Sequence, residues 1–142
     1  MPSKLKFRRE TLWPFLLAGT ITFCSGYAAV HLENDWLAPD KVGHFALYGA
    51  LATALVRVER LRRWVLLGGW WAILLASAYG LGDEFRQSFT IVRLFEWDDW
   101  IADTLGAALA VALYLRWPSY RRLLETPILR KRPKPVLTTN EH

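Results

Sequence analysis

Residues 98–117 read DDWIADTLGAALAVALYLRW, and the order of chemistry in that stretch decides the fold. Two carboxylates precede an apolar run, and a third, Asp103, lies one turn inside it. Small residues recur at Ala102, Gly106 and Ala110, and the run closes on Arg116 and Trp117. Four-residue spacing sets the small residues on one helical face, where they let a neighbouring helix come close. From Trp100 to Trp117 the run falls just short of the roughly 20 residues a helix needs to cross about 30 Å of hydrocarbon.

Three further apolar segments lie upstream, at Leu12–Leu32, Val42–Val58 and Trp64–Leu81. The second is the shortest, but Lys41 and Arg57 can snorkel from its ends and extend its reach. Ala46, Ala50 and Ala54 give it a small-residue face like that of the fourth segment. A soluble bundle would carry polar residues at helical period on every helix, and the first and third segments have almost none. The expectation is an all-α fold: one integral membrane four-helix domain over residues 1–142, with helices near 12–32, 42–58, 64–81 and 100–117. The stretch 118–142 is expected to be a basic cytoplasmic tail, flexible from Thr126 and lying near anionic headgroups.

Charge gives the orientation. Of 18 Lys and Arg residues, 15 lie before the first segment, between the second and third, or from the end of the fourth onward. Only Lys41, Arg86 and Arg93 lie on the other side, where nine of the 13 acidic residues gather. Cytoplasmic loops hold the Lys/Arg excess, so both termini are expected in the cytoplasm. Six of the eight tryptophans (Trp13, Trp36, Trp64, Trp97, Trp100 and Trp117) fall at or near segment ends, as an interfacial belt would have them. Trp70 and Trp71 are expected mid-segment.

The net charge of +5 would also suit a nucleic-acid partner, but the basic residues flank apolar runs and no nucleic-acid motif is present. A single cysteine, Cys24, excludes an intramolecular disulfide, a CxxC pair or a Cys-based zinc site, and is expected to be a packing residue. The first segment, with its basic start and Gly26-Tyr27-Ala28, also has features of a cleaved signal peptide, although its apolar run is long for one.

On this topology the polar residues converge at the outer face. Asp40, His44 and Tyr48 share one face of the second helix, and Asp83-Glu84 closes the third, with Gln87 one turn on. Arg93 lies in the external loop, Asp98-Asp99 opens the fourth helix and Asp103 follows Asp99 at i+4. Asp40, Asp98 and Asp99 also suit helix N-termini, and Lys41 suits an anchor. Asp83 and Glu84 stand where the helix dipole disfavours anions, and His44 and Asp103 lie a turn inside the apolar boundary, where ionisable groups are costly.

The ordered pattern Asp40-Lys41-x-x-His44-Phe45-x-x-Tyr48, Asp83-Glu84-x-x-Gln87-x-Phe89-x-x-x-Arg93 and Asp99-x-x-x-Asp103-x-x-Gly106 resembles the VanZ-like family. It covers roughly Pro39 to Ala110. The chain departs from the family in having Asp103 where Asn is usual and Ala110 where glycine is usual. The resemblance implies a multi-pass protein of the bacterial inner membrane. Through its type member it implies a link to resistance against teicoplanin, a lipoglycopeptide that attacks cell-wall precursors.

Three readings of the cluster follow. In the first it binds a lipid-linked envelope component, such as a cell-wall precursor, with Lys41 and Arg93 on phosphate and Asp40, Tyr48 and Gln87 as further contacts. In the second it is catalytic. His44 would be acid or base, oriented by Asp40 or Asp99, and Asp83, Glu84, Asp99 and Asp103 would share protons or hold Mg²⁺ or another divalent ion. The spacing matches no metal-site motif, and no serine or cysteine nucleophile stands beside a base, Ser88 being the nearest to one. In the third the cluster is an ion-pair network locking helix ends, with Arg93 or Lys41 paired to Glu84 or Asp103, in a protein that binds a partner. Oligomeric state and enzyme status are not set by the sequence.

Overall fold

The computed structural model describes residues 11–27, 39–59, 68–89 and 95–126. They form five helices and no strand: α1 (Leu12–Tyr27), α2 (Pro39–Val56), α3 (Trp71–Ser88), α4 (Trp97–Arg116) and α5 (Pro118–Glu125). A 3-10 turn at Gly68–Trp70 leads into α3. The all-helical expectation therefore holds. Among the described residues no helix is long and apolar enough to cross a membrane.

The helix limits differ from the expected ones in one consistent way. The polar residues expected at helix ends lie inside the helices. Helix α2 begins at Pro39, α4 begins at Trp97, and α3 runs on to Ser88, seven residues past the expected end at Leu81. Falling hydropathy marks an end only where polar side chains face water, and here Asp83, Glu84, Gln87, Asp99 and Asp103 are buried within the helix set. The beginning of α3 moves for a separate reason. Gly68 has φ +58°, a left-handed conformation that glycine adopts without strain, and the chain turns there. Trp70 and Trp71 thus stand at the start of the helix rather than in its middle. At the other end Trp117 is extended, and Pro118, which needs no N–H partner in a first turn, opens α5 within the stretch expected to be tail.

Helices α2 and α4 are the most closely packed pair. A Cβ on Gly106 would lie 2.1 Å from the Phe45 carbonyl oxygen, and one on Gly49 would lie 3.2 Å from the Gly106 oxygen. The small-residue face expected on α4 is therefore a backbone contact that glycine permits. Tyr48, Leu51, Ala52 and Val56 of α2 pack with Ala107, Val111 and Tyr114 of α4 and with Ala72 and Ala76 of α3. Ser77 and Thr104 hydroxyls bond at 2.8 Å, and the Trp100 indole donates to the Ser77 carbonyl at 3.1 Å, tying α3 to α4. Helix α1 is held by Ile21 in the core and by the Tyr79 hydroxyl, which donates to the Ala18 carbonyl at 2.7 Å and also meets the Thr22 hydroxyl. Cys24 is exposed on α1 and is not a packing residue.

Helix α5 folds back over the far end. The Tyr114 hydroxyl donates to Glu125 Oε1 at 2.6 Å, and Arg57 Nη2 donates to the Leu124 carbonyl at 2.8 Å.

Candidate functional site

Three helices build the site, each through its own period. On α2, Lys41, His44 and Tyr48 lie at i, i+3 and i+7 and face the same way. The His44 and Tyr48 rings lie nearly parallel, 5° apart, with centroids 6.1 Å from each other. On α4, Asp99 and Asp103 are one turn apart, and both are buried. On α3, Asp83, Glu84 and Gln87 are buried.

His44 is the hub. Its Nδ1 lies 3.0 Å from Asp103 Oδ1, and its Nε2 lies 3.7 Å from Asp99 Oδ2. Among the described residues the carboxylate within hydrogen-bonding distance is therefore Asp103 rather than Asp99, while the expected Asp40 partner has its side chain outside the described residues. Lys41 Nζ lies 3.8 Å from both Asp98 Oδ2 and Asp99 Oδ1, so it pairs with the start of α4 and not with Glu84 or Asp103. Glu84 Oε2 accepts the Glu96 backbone N–H at 3.3 Å, which fixes the C-terminal half of α3 against the start of α4. Glu84 Oε1, Asp103 Oδ2 and the Tyr48 hydroxyl are buried without a hydrogen-bond partner among the described residues. His44, Glu84 and Asp99 each bring a donor atom into one group, all within 4.8 Å of one another.

Asp83 belongs to a different set of contacts. Its Oδ1 accepts from Arg86 Nε at 3.0 Å and Nη2 at 2.8 Å, and its Oδ2 accepts from Gln87 at 3.0 Å. Arg86 also donates to Ser25 Oγ at 2.7 Å and to the Thr22 carbonyl at 3.3 Å, both on α1. Asp83, Gln87 and Arg86 thus bracket α3 to α1. Gln87 is engaged with Asp83, while Glu84, one residue on, turns to α4.

Of the ten residues singled out from sequence, the structure brings Lys41, His44, Tyr48, Glu84, Asp99 and Asp103 together, with Asp83 and Gln87 alongside. Asp40 is the second residue of α2, but its side chain lies outside the described residues, as does all of Arg93. Sequence reading overlooked Arg86 and Gly80. Arg86 was legible as the i+3 partner of Asp83. Gly80 was not: a Cβ there would lie 2.6 Å from Asp103 Oδ2 and 3.2 Å from the Tyr48 ring, so only glycine lets α3 pass this close to both.

Residues 5–118 match the family described as VanZ/LLP1. An uncharacterised protein of Schizosaccharomyces pombe is 34% identical over 131 residues, covering 88% of this chain and 75% of the yeast protein. No solved structure matches.

Proposed function

The chain belongs to the VanZ/LLP1 family, and on that premise we propose that it is a four-span membrane protein whose acid–imidazole cluster takes up a lipid headgroup from one face of the bilayer. One observation carries the reading: the polarity of the described residues is inverted. Phe15, Phe23 and Phe85 are 70%, 67% and 60% exposed, and Leu16, Leu74, Leu105 and Leu109 are exposed as well, while Glu84, Asp99 and Asp103 are at most 2% exposed. A soluble protein of this size rarely leaves so broad an apolar surface open to water while enclosing carboxylates. In a bilayer the arrangement is the expected one, with apolar side chains in lipid and ionisable groups turned to the interior.

The helices' modest hydropathy fits the same picture. Helices α2, α3 and α4 have 18, 18 and 20 residues, which at about 1.5 Å per residue gives roughly 27–30 Å, near the thickness of a hydrocarbon core. Their mean hydropathy is lowered by inward residues that never meet lipid. Trp13, Trp97 and Trp117 are exposed near helix ends, as interfacial anchors are. The Lys/Arg excess assigns both termini to the cytoplasm and the cluster to the opposite face, which in a bacterium is the outer face of the inner membrane.

For the ligand, Lys41 supplies a cation at the edge of the cluster, which suits phosphate. A fungal relative favours a headgroup common to bacteria and fungi, a phosphate-linked lipid, over one peculiar to the bacterial wall. A link to teicoplanin-type resistance would follow where that lipid is a wall precursor. A second reading, an ion-pair lock with no ligand, is favoured by the Arg86–Asp83 bracket alone, since those atoms are saturated by protein contacts.

Native mass spectrometry of the protein extracted from its own membrane tests the proposal, with wild type beside Lys41→Gln and His44→Gln. A stoichiometric lipid adduct that both substitutions remove at unchanged helical content is the expected result. Absence of an adduct from the wild type would turn the cluster into a structural lock.

A further inference from the structure

An anionic headgroup approaching Glu84, Asp99 and Asp103 meets like charge. Among the described residues the cluster's carboxylates outnumber its one fixed cation, Lys41, because Arg86 is committed to Asp83. Buried carboxylates this close together are unfavourable as anions and gain from taking up protons or a cation.

We propose that His44, Glu84 and Asp99 form a site for one divalent transition-metal ion, Zn²⁺ or Mn²⁺. The geometry around His44 is that of a metal ligand. Its Nδ1 is held by Asp103 at 3.0 Å, which places the ring proton on that side and turns the Nε2 lone pair toward Asp99 and Glu84. A carboxylate that orients an imidazole from behind in this way is the usual outer partner of a metal-bound histidine. The 3.7 Å between Nε2 and Asp99 Oδ2 is too long for a hydrogen bond, yet it is close to the separation of two ligands sharing an ion about 2.0–2.2 Å from each. Glu84 completes the group, all donor atoms lying within 4.8 Å of one another. Independently of the acidic character of the cluster, Glu84 is 2% exposed, and its Oε1 has no hydrogen-bond partner among the described residues.

The donor set selects the ion. One imidazole nitrogen with carboxylate oxygens suits Zn²⁺ or Mn²⁺, whereas Ca²⁺ asks for about 6–8 oxygens and Mg²⁺ keeps most of its water. The ion would also resolve the repulsion above, by bridging the carboxylates to a phosphate. Only that bridging role rests on the headgroup reading; the ion site itself does not.

The test uses the full chain in detergent, stripped with EDTA, delipidated and dialysed against Zn²⁺ or Mn²⁺ alone, with Mg²⁺ and Ca²⁺ in parallel. Bound metal is counted by mass spectrometry, and Mn²⁺ is followed by its paramagnetic resonance. One Zn²⁺ or Mn²⁺ per chain is expected, with affinity falling more than about 100-fold in H44Q, E84Q or D99N. Lys41→Gln replaces no ligand but removes the positive charge 3.8 Å from Asp99 Oδ1, and it should tighten binding by about 10-fold, a gain that no folding defect could produce. Absence of one-to-one binding in the wild type, wild-type affinity in E84Q and H44Q, or no gain in K41Q would each overturn the site. Ion binding without a lipid adduct would remove the headgroup reading and leave the ion site standing; an adduct without ion binding would do the reverse.

Discussion

His44 and Asp103, 59 residues apart in the chain, meet across the α2–α4 contact with Nδ1 and Oδ1 separated by 3.0 Å. Two approaches of backbone make this contact possible. Gly106 lets α4 come against Phe45 of α2, and Gly80 lets α3 pass over the Asp103 carboxylate. The polar centre is therefore held by glycine contacts on either side of it.

The Asp103–His44 bond predicts a graded response at position 103. Asn keeps an oxygen for the imidazole, so Asp103→Asn should change stability by less than about 1 kcal/mol, whereas Asp103→Leu leaves His44 without that partner and should lose about 2–4 kcal/mol. Thermal unfolding in detergent, wild type beside both variants, measures the difference. Equal losses would show that the hydrogen bond is not what position 103 supplies.

Gly106→Ala should separate α2 from α4, because the new Cβ would stand 2.1 Å from a backbone oxygen that cannot rotate away. A loss of about 1–3 kcal/mol is expected. Gly82→Ala is the matched control: its Cβ would meet nothing within 4 Å, and helix propensity should make it neutral or stabilising by up to about 1 kcal/mol. Denaturant titration of both variants checks the contrast.

Arg86→Ala takes both guanidinium bonds from Asp83, which is 5% exposed and keeps Gln87, and cuts the tie to Ser25 and Thr22. Because the Arg86 side chain is itself 42% exposed, the loss should be about 1–3 kcal/mol, below that of a fully buried pair. Adding Asp83→Asn should recover part of it. A double-mutant cycle reads the coupling, and strictly additive losses would mean that the pair does not act as one unit.

Leu105→Arg discriminates between environments. Leu105 is 57% exposed near the middle of α4. On a water-facing surface the change would stay within about 0.5 kcal/mol, but at the centre of a bilayer it should weigh about 2.5–3.5 kcal/mol against insertion. The membrane-integrated fraction after alkaline extraction is the readout, and an unaffected fraction would sink the four-span proposal.

Releasing α5 should be local. Glu125→Ala removes the acceptor of the Tyr114 hydroxyl and the 3.1 Å ion pair with Arg121. Hydrogen exchange should speed up over residues 118–125, by about fivefold for a loss near 1 kcal/mol, while α2 and α4 keep their protection. A matching acceleration in α4 would mean that α5 is part of the cooperative core.

The all-helical class, the number of long segments and the charge asymmetry were legible before any coordinates, because they depend on composition and on spacing along one chain. So was most of the candidate site. An ionisable residue one turn inside an apolar run stands out, and four-residue spacing fixes its side of the helix, as for His44 with Tyr48 and Asp99 with Asp103. The limits of α3 were not legible: hydropathy marks an end at Leu81, yet the helix continues because Asp83, Glu84 and Gln87 turn inward. Nor was the choice of partners. Spacing gives the azimuth of a side chain about its own helix axis, but not the distance or angle of the neighbouring helix. Those are set by where a glycine lets a neighbour come close, backbone to backbone at Gly49 and Gly106 and backbone to side chain at Gly80, and they decide that Asp103 meets His44, that Lys41 pairs with Asp98 and Asp99, and that Asp83 serves the bracket to α1.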